Sequence, residues 1–152
     1  MKHLDRAEAL VEGLLRRTRT VAVIGASPKP ERHSHDVVRY LHKAGYDVIP
    51  VRPDRTQVGE LSTYAQLNDV GGPVDLVIIF RRPDAGVTHV REAVAKHARA
   101  VWFPPGAWSR DAEDAARDEG LTVVKDRCII EDHRHLFSAV GEVAAGHPRK
   151  LS

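Results

Sequence analysis

Between Leu4 and Arg17 the apolar residues Leu4, Ala7, Leu10, Val11, Leu14 and Leu15 recur at intervals of three and four. That spacing stacks them on one face of an amphipathic helix, with Asp5 and Glu8 toward its positive end. A change of pattern follows: Thr20-Val21-Ala22-Val23-Ile24 is a β-branched run without polar alternation, stopped by Gly25. Such a run reads as a strand buried on both faces. The two segment types then alternate. Ser34 to Ala44 reads as a helix, with Ser34 as its expected N-cap and Gly45 as its stop. Asp47 to Val51 is a second strand, and Gln57 to Tyr64 a minor strand or turn. Val74 to Phe80 is a third, strongly apolar strand. Asp84 to His97 is helical, with Val87, Val90, Val94 and His97 expected on one face. Ala100 to Phe103, Ser109 to Glu119 and Leu121 to Val124 continue as strand, helix and strand, and a last helix is expected from about Glu131.

Helices joined to apolar strands by short connections require right-handed crossovers and a parallel sheet covered on both faces. The expected fold is therefore an α/β doubly wound, Rossmann-like sandwich with a mainly parallel sheet of five strands. No linker, repeat or low-complexity tract interrupts it. The reading is one domain over 1–152, with an N-terminal helix at 4–17, a core at 20–137 and a frayed tail at 146–152. With 152 residues, 42% hydrophobic and 29% charged, the chain can bury its own core and is not a disordered sequence. A formal net charge of only +2 argues against a nucleic-acid binder. A single cysteine excludes an internal disulfide, which suits a reducing compartment. No run approaches the roughly 18 apolar residues of a membrane span, and the first residues lack a signal-peptide core. A cytoplasmic protein without membrane or nucleic-acid partners is the expectation.

In doubly wound sheets, ligands bind beyond the carboxyl ends of the strands, where strand order reverses. What stands after each strand therefore carries the functional reading. After the first come Gly25, Ala26, Ser27, Pro28, Lys29, Pro30, Glu31, Arg32, His33 and Ser34. The glycine permits a tight turn, the next helix presents its free N–H groups, and Ser27, Ser34, Lys29 and Arg32 offer hydroxyls and charge to a diphosphate. With one glycine, this is neither a G-x-G-x-x-G fingerprint nor a Walker A loop. After the second strand stand Arg52 and Pro53, where an NAD-binding fold would place an acid. An arginine there suits a phosphorylated ribose, or is a solvated charge in a stiff turn. After the third come Phe80, Arg81 and Arg82, a ring and two guanidinium groups that could cover a base and hold phosphates. Thus three successive strand ends carry cations in a nearly neutral chain.

After the fourth strand, Trp102 to Trp108 is apolar and proline-stiffened, suited to walling an aliphatic ligand arm or meeting a partner subunit. After the fifth, Cys128 follows Arg127; it reads as a small core hydrophobe, with an arginine-activated thiol as the other reading. The close histidine pairs His33/His35 and His133/His135, both expected at helix starts, lack H-E-x-x-H spacing, so metal binding is not expected. The Ser27 turn mimics a nucleophile elbow, but Pro28 removes an N–H that an oxyanion hole would use.

Taken together, Val23 to Arg32, Gly45 to Val51, Ile79 to Pro83 and Asp126 to Cys128 resemble the stand-alone CoA-binding domain family. That family is related to the nucleotide-binding domain of the succinyl-CoA synthetase α subunit. The likeness runs from about Thr20 to Leu136. It implies a Rossmann fold that binds coenzyme A or an acyl-CoA without a known reaction, so no catalytic residue is expected. It places the Ala26–Lys29 loop at the pyrophosphate, with the segments around Pro53 and Phe80 flanking the adenosine end. Relatives often carry Asn at the position of Arg52 and Gln at that of Pro104. Two further readings stand beside a CoA-binding module. One is an NADP-type redox or sensor protein; the other is an accessory subunit of an acyl-CoA enzyme. Homodimerisation is left open.

Overall fold

The computed structural model describes residues 4–137; the expected tail at 146–152 lies outside them. The first helix, α1 (Arg6–Arg17), begins at a capping box. Asp5 Oδ1 accepts from Glu8 N at 2.8 Å, and Glu8 Oε1 accepts from Asp5 N at 3.2 Å. It leads into β1 (Thr20–Ile24), then α2 (His33–Lys43) and β2 (Asp47–Val51). A short 3₁₀ turn at Leu67–Asp69 precedes β3 (Leu76–Ile79), and a second at Pro83–Ala85 runs into α3 (Gly86–Ala95). The chain continues through β4 (Ala100–Phe103), α4 (Arg110–Asp118), β5 (Thr122–Lys125) and α5 (Ile129–Phe137).

All five strands are parallel, in the order β2-β1-β3-β4-β5. Alternate residues of each strand face opposite sides, so each side gathers its own core. Val21, Val23, Leu76, Ile78, Ala100 and Trp102 pack with α1, α2 and α5; Ala22, Ile24, Val77, Ile79, Val101 and Phe103 pack with α3 and α4. The fold is the expected doubly wound α/β sandwich. The chain leaves β1 for β2 on one side, and β3 lies on the other side of β1. Strand order therefore reverses between β1 and β3, and a crevice must open at their carboxyl ends.

Several local expectations are corrected. Ser34 does not cap α2; Arg32 occupies the N-cap position without a side-chain hydrogen bond, and Ser34 is buried as the second residue of the helix. The reason lies upstream: Arg32 N donates to Lys29 O at 3.0 Å, so the loop turns before the serine is reached. The helix expected at 84–97 is shorter. Its start is a 3₁₀ turn, and His97 leaves the helix in the left-handed region (φ 58°), exposed instead of joining Val87, Val90 and Val94. The segment 57–64 forms a tight turn, Val58 opposite Leu61, from which Tyr64 bridges to Val51 at the sheet edge. The fifth helix begins at Ile129, so His133 lies in its middle and His135 in its last turn, neither at its start. No helix among the described residues is long and apolar enough to cross a membrane.

Candidate functional site

Gly25 is the first residue beyond β1 and has φ +82°. A Cβ built on it would lie 2.2 Å from the Phe80 carbonyl oxygen. The glycine therefore serves the chain's own packing: the loops after β1 and β3 pass so closely that no side chain fits between them. Phe80 N donates to Ile24 O at 2.8 Å and Gly25 N to Val51 O at 3.1 Å, fixing the three strand ends to one another. Over this junction lies a cleft of about 850 Å³, within the usual size range of small-molecule sites.

The structure brings the candidate residues together there. The first loop contributes Gly25, Ser27, Pro28, Lys29, Arg32 and Ser34; the second strand end, Arg52; the third, Phe80, Arg81 and Arg82. Ala26 lies behind the surface, fully buried, and Pro53 lines a smaller adjoining hollow of about 200 Å³ with Ile24, Val51, Gln66 and His89. Gly25 and Arg81 line both spaces. The opposite wall is Pro104, Pro105, Gly106 and Ala107, the apolar stretch after β4. Its two flanking tryptophans do not reach the cleft. Trp102 is buried with its indole N–H on Arg127 O (2.8 Å), and Trp108 donates to Glu113 Oε1 (2.7 Å).

Five cations, Lys29, Arg32, Arg52, Arg81 and Arg82, line the cleft, and among the described residues no carboxylate does. The N-terminus of α2 opens into the same space. His35 N donates to Arg32 O at 3.1 Å, and no side chain caps the two N–H groups of the helix before it. Free amides, a helix dipole and surrounding cations together make an environment for a polyanion.

The cations are not equivalent. Arg52 is the most committed. Its Nε and Nη2 donate to the Asp54 carboxylate at 2.8 and 2.9 Å, and Nη1 donates to Ala26 O at 2.7 Å. Three of its five donors are thereby occupied. The hydrogen bonds to Asp54 raise the arginine's pKa, and the same pairing, helped by the Thr56 N–H, holds the Asp54 carboxyl far below its usual range. Arg82 meets Asp84 only at 3.4 Å, with both side chains largely exposed, and remains available to a ligand.

His33, which the sequence reading did not select, also lines the cleft. Its ring meets Phe80 edge to face at 5.8 Å, and Nε2 lies 3.5 Å from Cys128 Sγ. Cys128 is half-buried, not a fully buried core residue, and lines a separate groove between α2 and α5. Arg127 does not stand over its sulfur, since its guanidinium pairs with both Asp132 oxygens at 2.8 and 2.9 Å. Among the described residues no group of three His, Cys, Asp or Glu could hold a metal.

A family model described as a CoA binding domain matches residues 19–134, most of the chain. The chain belongs to the CoA binding domain family. The uncharacterised protein YneT of Bacillus subtilis is 31% identical over 133 residues, covering 88% of this chain and 97% of YneT. A hypothetical protein from Pyrococcus horikoshii OT3 superposes with a TM-score of 0.82 at 32% identity, over 90% of this chain and 98% of that one. A Thermus thermophilus structure, cell-free ID.343, does so with a TM-score of 0.79 at 37% identity, over 86% and 98% of the two chains. The β1–α2 loop, which brings Lys29 and Arg32 to the cleft, lies within the matched span.

Proposed function

We propose that this CoA binding domain holds coenzyme A or an acyl-CoA in the cleft at the strand ends, as a binding module with no catalysis of its own. One observation carries the reading: among the described residues, the cleft at the reversal of strand order is lined by five cations and no carboxylate, and an uncapped helix opens into it. The diphosphate is assigned to the Ser27–Ser34 loop and the first turn of α2, where Lys29 and Arg32 add charge. The adenosine end is assigned to the hollow beside Pro53, between the ends of β1 and β2, with Arg81 at its mouth. The pantetheine arm is assigned to the wall at Pro104–Ala107, whose prolines offer apolar surface.

Thermal-shift measurements against coenzyme A, acetyl-CoA, NAD, NADP and ATP test this. A ligand at 100 times its dissociation constant adds about 2.7 kcal/mol of stability. Coenzyme A or its acetyl form is expected to give the largest shift. A larger response to NADP would transfer the site to a redox nucleotide, and no response to any of them would overturn the reading.

A further inference from the structure

His35 is a buried titratable residue that the proposed binding mode leaves without a task. It is 6% exposed, sits in the first turn of α2, and is not among the residues lining the cleft. Its Nδ1 lies 3.0 Å from the carbonyl oxygen of Ser27. A carbonyl only accepts, so Nδ1 carries the proton. One residue earlier, the Ala26 carbonyl accepts from Arg52 Nη1 at 2.7 Å. Arg52 is itself clasped by Asp54, whose Oδ1 also accepts from Thr56 N at 2.9 Å. Two consecutive carbonyls of the loop are thus held by side chains from different elements, the helix after the loop and the turn after β2.

The peptide plane gives these contacts a consequence for anion binding. In a trans peptide the carbonyl and the following N–H point in opposite directions. Holding the Ala26 oxygen therefore fixes the Ser27 N–H in the opposite sense. The next peptide, Ser27–Pro28, has no N–H at all. It can present only an oxygen, which would repel a phosphate if left facing the ligand. His35 takes up that oxygen. Resting on the assignment of this loop to a diphosphate, we infer that His35 and Arg52 are positioning residues. They hold the two carbonyls so that the loop meets the ligand with donors rather than oxygens. Arg52 accordingly acts on the ligand through Ala26 and does not read a ribose phosphate.

Two substitutions at position 35 test the histidine. His35→Asn keeps an N–H donor on the γ-carbon, while His35→Leu fills more of the space but has none. Calorimetric titration with coenzyme A is expected to show at least tenfold weaker binding for His35→Leu. His35→Asn should stay within about threefold of the parent, although it leaves more empty volume. A merely structural histidine would give the opposite order, or no difference between the two. Amide exchange at Lys29, whose N–H donates to Ser27 Oγ at 3.1 Å, reads the loop without ligand. It should accelerate in His35→Leu only, and unchanged exchange would overturn the inference. Arg52→Met is expected to weaken coenzyme A and dephospho-CoA by the same factor, whereas a selective loss for coenzyme A would make Arg52 a phosphate reader. If the parent binds neither nucleotide nor inorganic diphosphate, the assignment of the cleft itself falls. Normal parental binding with an unaffected His35→Leu overturns only the positioning role.

Discussion

Replacing Gly25 with alanine tests whether the close passage of the β1 and β3 loops is a fixed feature of the fold. Two costs arise. A side chain at positive φ costs about 1–2 kcal/mol, and Gly25 sits at +82°. The new Cβ would also stand 2.2 Å from the Phe80 oxygen, a separation real Cβ atoms do not adopt. Relief requires the two strand ends to part by roughly an ångström, straining the Phe80 N to Ile24 O bond and the Gly25 N to Val51 O bond. Each such bond is worth about 0.5–1.5 kcal/mol. The sum is about 2–5 kcal/mol, a large share of the roughly 5–15 kcal/mol that stabilises a typical domain. At about 2–4 °C per kcal/mol for a chain of this size, Tm should fall by roughly 4–20 °C. Gly120→Ala is the matched control, because Gly120 has the same φ of +82° and nothing within 4 Å of its added Cβ. It should lose only the dihedral part, about 1–2 kcal/mol. Calorimetric melting of both variants separates the two terms. If Gly25→Ala melts within a degree or two of Gly120→Ala, the steric argument is wrong.

Three further outcomes follow from the geometry. Lys29 is exposed on the loop, so Lys29→Glu should leave the melting curve within about 0.5 kcal/mol of the parent. It should weaken coenzyme A binding by about 1.5–2 kcal/mol and flatten its dependence on salt, and titrations at two salt concentrations check both. Cys128→Ala should keep coenzyme A affinity within about threefold; mass spectrometry finding a reductant-sensitive coenzyme A adduct that the variant lacks would assign the thiol a chemical role. Glu113 accepts from Lys125, Arg117 and Trp108, which lower its pKa from 4.5 to about 2. A carboxyl depressed in the folded state adds stability above its unfolded pKa and loses it as pH falls through the folded one. Stability should therefore drop between about pH 4.5 and 2, and Glu113→Gln should flatten that limb of a urea-melting series while costing roughly 1 kcal/mol at pH 7.

How far the chain was readable depended on the range of the interactions involved. β1 and β4 lie where their apolar runs placed them, because a strand buried on both faces leaves few polar interruptions to misread, and the edge strand β2 was bounded by Gly45 and Pro53. Their order then located the cleft, since a doubly wound sheet has one reversal. Helix ends were less legible. His97 takes a left-handed conformation usually given to glycine, and the turn before Arg32 displaced the cap from Ser34. The hardest features joined distant positions or depended on a turn's shape. Arg52 and Asp54 are two residues apart, and their pairing was open to inspection; the hydrogen bond from Arg52 to Ala26 was not, because it needs β1 and β2 side by side. The approach of His33 to Cys128 spans 95 positions and depends on α5 packing beside α2, so no local pattern announces it. Gly25 was legible as the residue of a tight turn, and it turns at φ +82°; the Phe80 carbonyl that leaves no room for a side chain there comes from 55 positions away and was not.

The central claim is that a coenzyme A molecule lies across the carboxyl ends of β1 and β3 with its diphosphate at the start of α2. Amide chemical-shift mapping during titration with coenzyme A addresses it most directly. The account predicts saturable shifts concentrated at Gly25–Ser34, Arg52, Phe80–Arg82 and Gly106–Ala107, with inorganic diphosphate reproducing only the first group. Saturable shifts confined to the groove between α2 and α5, or no shifts at millimolar coenzyme A, would contradict it.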